Sequence, residues 1–331
     1  MPENACVGCI ANPMAGKDIR RLVAYSSRID NQEKVNIIRR ILLGLESAGV
    51  PVVLLMPDTF QIAQKALDGI HHTLRPRVHI LDMEVSGNAM DSLLATQYMC
   101  EAGVQCLLVL GGDGTHRVVA KASGTVPLVP ISTGTNNVFP RMIEGTVAGL
   151  AAGLYAQHAC HLDGVVMATK RLEIWRNGEL QDIALVDVAI SQQQFVGARA
   201  LWDVSDLQEL FFTQGTPSNI GLSSIAGWSC PVTGQDAEGL HLVLGGDGRR
   251  VRAPIAPGLI VPVGISRQRL IRPGERIPIG AGPVMLALDG ERELVVRRGE
   301  GCEVVLSWDG PKVLDVDRTL RLAQQHGLHH G

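Results

Sequence analysis

The chain of 331 residues has little aromatic content, 4% in all, with four Trp, three Tyr and five Phe. Its cores must therefore be filled by small aliphatic side chains. An excess of positive charge is also missing. The 30 Lys and Arg are slightly outnumbered by 33 Asp and Glu, for a formal net charge of −3. That balance argues against nucleic acid or an anionic membrane as the main partner. No apolar run approaches the ~20 residues of a membrane span. The opening MPENACVGCIANP lacks a charged segment followed by a long apolar one, so no secretory signal is expected. Seven cysteines, an odd number without an export signal, predict reduced thiols in a cytoplasm. A Walker loop is absent too, because Gly16-Lys17-Asp18 lacks the second half of that pattern.

What is present is an ordinary globular composition, 46% hydrophobic and 19% charged. At roughly 150 residues per domain, the length predicts two domains. Over residues 1–145, short aliphatic runs alternate with amphipathic ones. Val7–Ala11, Val50–Met56, His79–Leu81, Cys106–Leu110 and Pro127–Ile131 read as strands. Asn31–Leu45, Gln61–Ile70, Met90–Glu101 and the stretch up to Ala122 read as helices. Unbroken apolar strands alternating with helices imply a parallel sheet covered on both faces, hence an α/β domain. Beyond, over 146–312, the pattern becomes β-rich and predicts a sandwich. Arg171–Trp175 and Ile183–Ile190 flank an Arg176-Asn177-Gly178-Glu179 turn, and Gly/Pro turns punctuate Gly239–Leu306. Ala200–Phe212 reads as the one helix of this region. Asp315–Gln325 reads as a closing helix that packs back on the first domain within 313–331.

The heptapeptide LVLGGDG occurs twice, at Leu108–Gly114 and Leu242–Gly248. After the first copy, Thr115-His116-Arg117-Val118-Val119-Ala120 continues as a helix. Glycines there let the backbone turn sharply, and the free N–H groups of a helix start favour phosphate. After the second copy, Arg249-Arg250-Val251-Arg252 alternates like a strand, so a hairpin turn is expected, with Asp247 a turn residue. The first copy is not a dinucleotide fingerprint either, since Arg117 stands where the third glycine belongs. A nicotinamide oxidoreductase of that type is thereby disfavoured.

GGDGT at this junction resembles the signature of the superfamily of NAD kinases, diacylglycerol kinases and sphingosine kinases. Three further landmarks fit in order. Ala11-Asn12-Pro13-Met14-Ala15-Gly16 resembles the first-strand N-P-x-x-G turn, and Thr133-Gly134-Thr135-Asn136-Asn137 the second glycine loop. Leu288-Asp289-Gly290-Glu291 resembles the D-G-E of the lipid-kinase branch. Taken together, IANPMAGKDIRRLVA, GGDGTHRVVA, STGTNN, GLSSIAG and ALDGERE resemble the NAD-kinase-like proteins of acetoin operons. The resemblance implies an NAD kinase-like fold, a Rossmann-like three-layer α/β domain with a β-rich partner. It also implies ATP-dependent phosphoryl transfer with Mg²⁺, NAD as leading acceptor, and a homo-oligomer (dimer or tetramer). The sequence departs from both enzymatic branches. In the second loop, Ser132 and Asn137 stand where NAD kinases carry Asn and Gly. Asn136 and Val138 stand where lipid kinases carry Gly and Asp. Gly221-Leu222-Ser223-Ser224-Ile225-Ala226-Gly227 replaces the Thr-Pro-Thr-Gly-Ser stretch of NAD kinases. A non-catalytic NAD(H)- or ATP-binding regulator and a lipid kinase are therefore the rival readings.

The residues themselves suggest the chemistry. Gly111, Gly112 and Gly114 let amides approach phosphates. Asp113 is the candidate catalytic carboxylate, able to orient or deprotonate a hydroxyl or to hold Mg²⁺. Thr115 either caps the helix or binds phosphate, and Asn12 either bonds nucleotide or fixes its turn. Thr133, Gly134, Thr135, Asn136 and Asn137 gather donors on the adjacent strand end, where ligands of parallel sheets bind. Asp289 and Glu291 form a second acidic pair expected to reach across the domain cleft. Cys6-x-x-Cys9 has no matching Cys/His pair for a zinc site and reads as buried strand cysteines. His71-His72 and His329-His330 read as solvated, and Arg267, Arg269, Arg272 and Arg276 as an exposed strand face.

Overall fold

A computed structural model describes residues 5–15, 29–70, 72–192, 204–280 and 282–328. Strands β1 (Cys6–Ala11), β2 (Val52–Leu55), β3 (Arg77–Ile80), β4 (Cys106–Gly111) and β5 (Leu128–Ser132) alternate with helices α1 (Asn31–Ser47), α2 (Ile62–Leu67), α3 (Ala89–Glu101) and α4 (Asp113–Ala120). Helix α5 (Gly145–His158) and the short strand β6 (Val166–Met167) follow. The first five strands pair in parallel in the order β3-β2-β1-β4-β5. Strands β1 and β4 are buried on both faces. Val7, Cys9 and Ala11 point toward α1, α2 and α5, while Cys6 and Ile10 point toward α3 and α4. This double burial is why their sequences run apolar without alternation. It also separates Cys6 from Cys9, which lie on opposite faces and cannot share a ligand.

Helix α5 carries no amphipathic stripe, because GTVAGLAAGLYAQH is small or apolar nearly all round. The sequence pattern gives no helix there, and the structure adds one. Small residues let α5 meet α1 backbone to backbone. A Cβ on Gly149 would collide with the Ile41 carbonyl, and one on Gly44 with the Thr146 carbonyl.

The β-rich region begins with the hairpin β7 (Arg171–Arg176) and β8 (Glu179–Ala184). Asn177 and Gly178 take φ of 52° and 84° between them, the twist-matched two-residue turn. Next come β9 (Asp187–Ser191), β10 (Leu207–Phe212), α6 (Ser223–Ser229), β11 (Gly239–Ala256), β12 (Leu259–Ile271), β13 (Arg276–Pro278), β14 (Val284–Leu288), β15 (Glu291–Val296) and β16 (Cys302–Ser307). They form two antiparallel sheets, β12-β11-β10-β9-β14-β15 and β13-β16-β7-β8. Leu172, Ile174, Val304 and Leu306 of the smaller sheet meet Val188, Ile190, Phe211, Leu286 and Leu288 of the larger in one core. Ile225 and Ala226 of α6 cover the outer face of the larger sheet. The chain then returns. Strand β17 (Val313–Leu314) pairs parallel to β5, β6 pairs antiparallel on its far side, and α7 (Val316–Gln325) adds Val316 and Ala323 to the first core beside α5.

Three expectations are corrected here. The Ala200–Phe212 helix is not formed. Residues 200–203 lie outside the described residues, Val204–Asp206 is a short 3-10 turn, and the rest is β10. Leu210 and Phe212 face α6 while Phe211 faces the sandwich core, so the strand is apolar on both sides and its spacing mimics a helix. The single strand expected over Ile183–Ile190 is two, β8 and β9, belonging to opposite sheets. Finally, the second LVLGGDG is not a hairpin turn. Strand β11 runs through it, both flanks pair with β12, and Leu244 and Arg249 lie opposite the same Ile265. The GGDG forms a bulge in which Gly248 presses on the Ile265 carbonyl, where a Cβ would not fit. His71 and His329-His330 lie outside the described residues.

Candidate functional site

Helices α1, α3, α5 and α7 each begin on a residue whose side chain caps the first turn: Asp30, Asn88, Glu144 and Asp315. Helix α4 begins on Gly112, which has no side chain to do so. The GGDGT turn thus places an uncapped eight-residue helix at the carboxyl end of the central strand β4, where the dipole and amide donors favour an anion.

Two neighbouring turns are fastened around it. After β1, the Asn12 amide donates to Thr115 Oγ1 at 2.9 Å, and its oxygen accepts the Met14 N–H at 2.8 Å. Beneath this turn the buried Lys34 ammonium donates to the Asn12 and Ala15 carbonyls at 2.9 and 2.8 Å. Asn12 thus fixes its own turn, and Thr115, which lies inside α4 and does not cap it, joins that turn to the GGDGT helix. After β5, the Ser132 hydroxyl donates to the Gly134 carbonyl at 2.7 Å and accepts from Asn137 Nδ2 at 2.7 Å. Gly112 lies so near this loop that a Cβ would stand 2.9 Å from Asn137 Oδ1. Thr133 is buried and its N–H reaches the Gly111 carbonyl at 3.3 Å. Thr135 is exposed and donates to Asn136 Oδ1 at 3.2 Å, at the loop tip.

Asp113 sits in the first turn of α4, and its carboxylate accepts the Phe139 N–H at 2.8 Å and the Val138 N–H at 3.1 Å. It therefore holds the end of the second loop against the helix start. Behind these two residues lies a cavity of about 410 Å³ whose lining includes Phe139, Arg141, Met142, Lys170 and Gln214. Burial lowers the Lys170 ammonium to about 8, although its Nζ donates to the Glu238 and Thr233 carbonyls.

The acidic residues of the β14–β15 turn go separate ways. Glu291 is exposed and stands over Gly114, whose Cβ, if present, would lie 3.2 Å from Glu291 Oε1. Asp289 turns inward at φ 50° and does not reach the cleft. Its buried carboxylate accepts the Leu185, Val186 and Asp187 N–H groups at 2.8 to 3.3 Å, where the chain crosses from β8 to β9. Burial raises the pKa of Asp289, against the pull of Arg117 and these amides.

Sequence reasoning missed two neighbours of Asp113 on α4. His116 is fully buried, with Nδ1 2.8 Å from the Gly112 carbonyl and Nε2 3.2 Å from that of Val109. Burial pushes its pKa down to about 4, so the ring is neutral and its single N–H donates to one of these two carbonyls. Arg117 is also buried. Its guanidinium meets Asp182 at 3.3 Å and Asp289 at 3.7 Å, and Lys121 joins Asp182 at 2.7 Å. No local pattern announces these pairings, because Asp182 comes from β8 and Asp289 from the β14–β15 turn, both far from α4 in the chain.

The architecture, a parallel α/β sheet with a GGDGT helix start facing a β-rich partner, defines the NAD kinase-like class. A family model for the ATP-NAD kinase N-terminal domain matches residues 7–159, and one for the acetoin catabolism protein X C-terminal domain matches residues 170–309. The chain is 39% identical to acetoin catabolism protein X of Cupriavidus necator over 97% of its own length and 93% of that protein's. It belongs to the acetoin catabolism protein X family. Among solved structures it resembles yeast NADH kinase complexed with NADH, at 13% identity and a TM-score of 0.51, covering 99% of this chain and 89% of that one. A putative diacylglycerol kinase from Bacillus anthracis aligns at 15% identity and a TM-score of 0.49, covering 93% and 96%.

Proposed function

We propose that this kinase-like protein of acetoin catabolism transfers a phosphoryl group from ATP to a hydroxyl, with NAD as the leading acceptor. The observation that carries the reading is the uncapped start of α4, set between the second loop and the Glu291 carboxylate. Amides at Gly112, Gly114 and Thr115 would cradle phosphate, and the small side chains leave the backbone accessible. Asn12, Thr133, Gly134, Thr135, Asn136 and Asn137 would frame the nucleotide from the adjoining strand ends. Asp113 is the carboxylate for steering the acceptor hydroxyl, and Glu291 the second one beside it. To engage substrate, Asp113 must share or leave the Val138 and Phe139 amides. Among the described residues, no three His, Cys, Asp or Glu gather to hold a metal. Mg²⁺ would be carried in chiefly by nucleotide phosphates and touched by one or two carboxylates. When bound, it would neutralise charge on the phosphates.

The test is to incubate the protein with ATP, Mg²⁺ and NAD and to resolve the products by chromatography. The expected result is ADP with a phosphorylated acceptor, and an Asp113→Ala rate at least 100-fold lower. An Asp113→Ala protein with full activity would refute the assigned role. The rival reading, a non-catalytic NAD(H) or ATP sensor, is favoured by the occupation of Asp113 with two backbone amides. It predicts saturable nucleotide binding with no product. A homo-oligomer, dimer or tetramer, is proposed with it, to be read by light scattering. A cytoplasmic setting is supported by seven unpaired thiols. Among the described residues, no helix is long and apolar enough to cross a membrane.

A further inference from the structure

We infer that Arg117 is a positioning residue that registers the GGDGT helix on the β-sandwich and so fixes the phosphate cradle against Glu291. The inference rests on the phosphate-site reading above and adds a component to it.

Arg117 stands one turn along α4 from Asp113, on a helix whose start belongs to the site. Its side chain is 3% exposed, which is unusual for a guanidinium and requires paired charge around it. Asp182 and Asp289 both lie outside the α/β sheet. Asp182 comes from β8, and Asp289 from the turn between β14 and β15. Asp289 is itself fixed by the amides of Leu185, Val186 and Asp187. The guanidinium therefore bears on a carboxylate that cannot swing. Two residues beyond Asp289, at the start of β15, Glu291 overlies Gly114. One short turn thus meets α4 at two points, pairing Asp289 with Arg117 and bringing Glu291 over Gly114. A planar fork suits a two-carboxylate seat, whereas an ammonium on a flexible stem does not reproduce it. Lys121 provides an internal control. It shares Asp182 with Arg117, at 2.7 Å, but its side chain is 35% exposed.

The experiment uses the full chain in three forms, wild type, Arg117→Lys and Lys121→Ala. Isothermal titration with ATP and Mg²⁺ is run beside hydrogen exchange of the amides of residues 114–118 and 288–291. Arg117→Lys keeps the charge and loses the fork, so it should fold. The expected result is at least tenfold weaker ATP binding, and at least tenfold faster exchange in both segments together. Lys121→Ala, which removes one positive charge nearby, should stay within twofold of wild type on both readouts. Equal losses in Arg117→Lys and Lys121→Ala would reduce the effect to general electrostatics and overturn the inference. So would ATP affinity and exchange in Arg117→Lys that match wild type. If wild type binds no nucleotide, the phosphate-site reading fails, and the paired change in exchange still decides whether Arg117 registers the two segments.

Discussion

Asp113 and Asp289 show what a carboxylate's letter conceals. Both sit in an Asp-Gly pair after an apolar strand, and both accept backbone amides. Asp113 lies in the first turn of a helix at the cleft, and Asp289 lies inside. The sequence marks both as candidates, and only burial separates them. His116 escapes a sequence reading for the same reason: nothing local says that its ring is sealed. Its titration gives a test at this scale. With a folded pKa of about 4 against an ordinary 6.5, the unfolded chain takes up a proton that the native ring refuses. Its contribution is therefore intact above about pH 6.5 and is lost as pH falls toward 4. From this group alone, the protein should be about 2 kcal/mol less stable at pH 5 than at pH 7. Urea unfolding of wild type and His116→Gln at the two pH values measures it. The variant, though weaker overall, should lack that portion of the slope, and identical slopes would show that His116 titrates normally in the fold.

At the scale of elements, periodicity locates most of the α/β helices and strands. It fails where a segment has no sidedness. Helix α5 is small all round, β10 is apolar on both faces, and β8 and β9 read as one strand because the bend at Leu185 has no Gly or Pro to mark it. The two LVLGGDG copies make the same point, since one ends a parallel strand and the other bulges within an antiparallel pair. The α1–α5 contact is testable as an element. Gly149→Leu should push the two helix backbones away from each other, since the first added carbon already meets the Ile41 carbonyl. A loss of about 2–3 kcal/mol, or failure to fold, is expected from such overpacking. Thermal unfolding would show it, and an unchanged melting temperature would mean the helices sit farther apart.

For the whole molecule, the class of each half is legible in the sequence but its joints are not. Landmarks such as Asn12, GGDGT and Thr133–Asn137 are local, and the structure brings them to neighbouring strand ends. Arg117, Asp182 and the Leu185–Asp187 crossover depend on residues far apart in the chain, so no window of sequence contains them. Asp289 ties several of these joints at once. Asp289→Ala should strand a buried guanidinium and three amides, costing about 3–5 kcal/mol. Denaturant unfolding should register it, with Glu291→Ala as the mild comparison. A loss no larger than that of Glu291→Ala would show the Asp289 contacts to be incidental.

The returning strand β17 has a consequence in time. It fills the place between β5 and β6, yet it lies roughly 180 residues after β5. At a synthesis rate of about 5–20 residues per second, the edge of β5 waits roughly 10–40 s for its neighbour. During that interval the Leu128 end of the β5 edge stays open to other chains, while its Ser132 end is already within reach of Arg141, which bonds to it in the fold. The sandwich, whose strands are made within the same interval, is placed to finish first. The unit that begins synthesis is then the last to close.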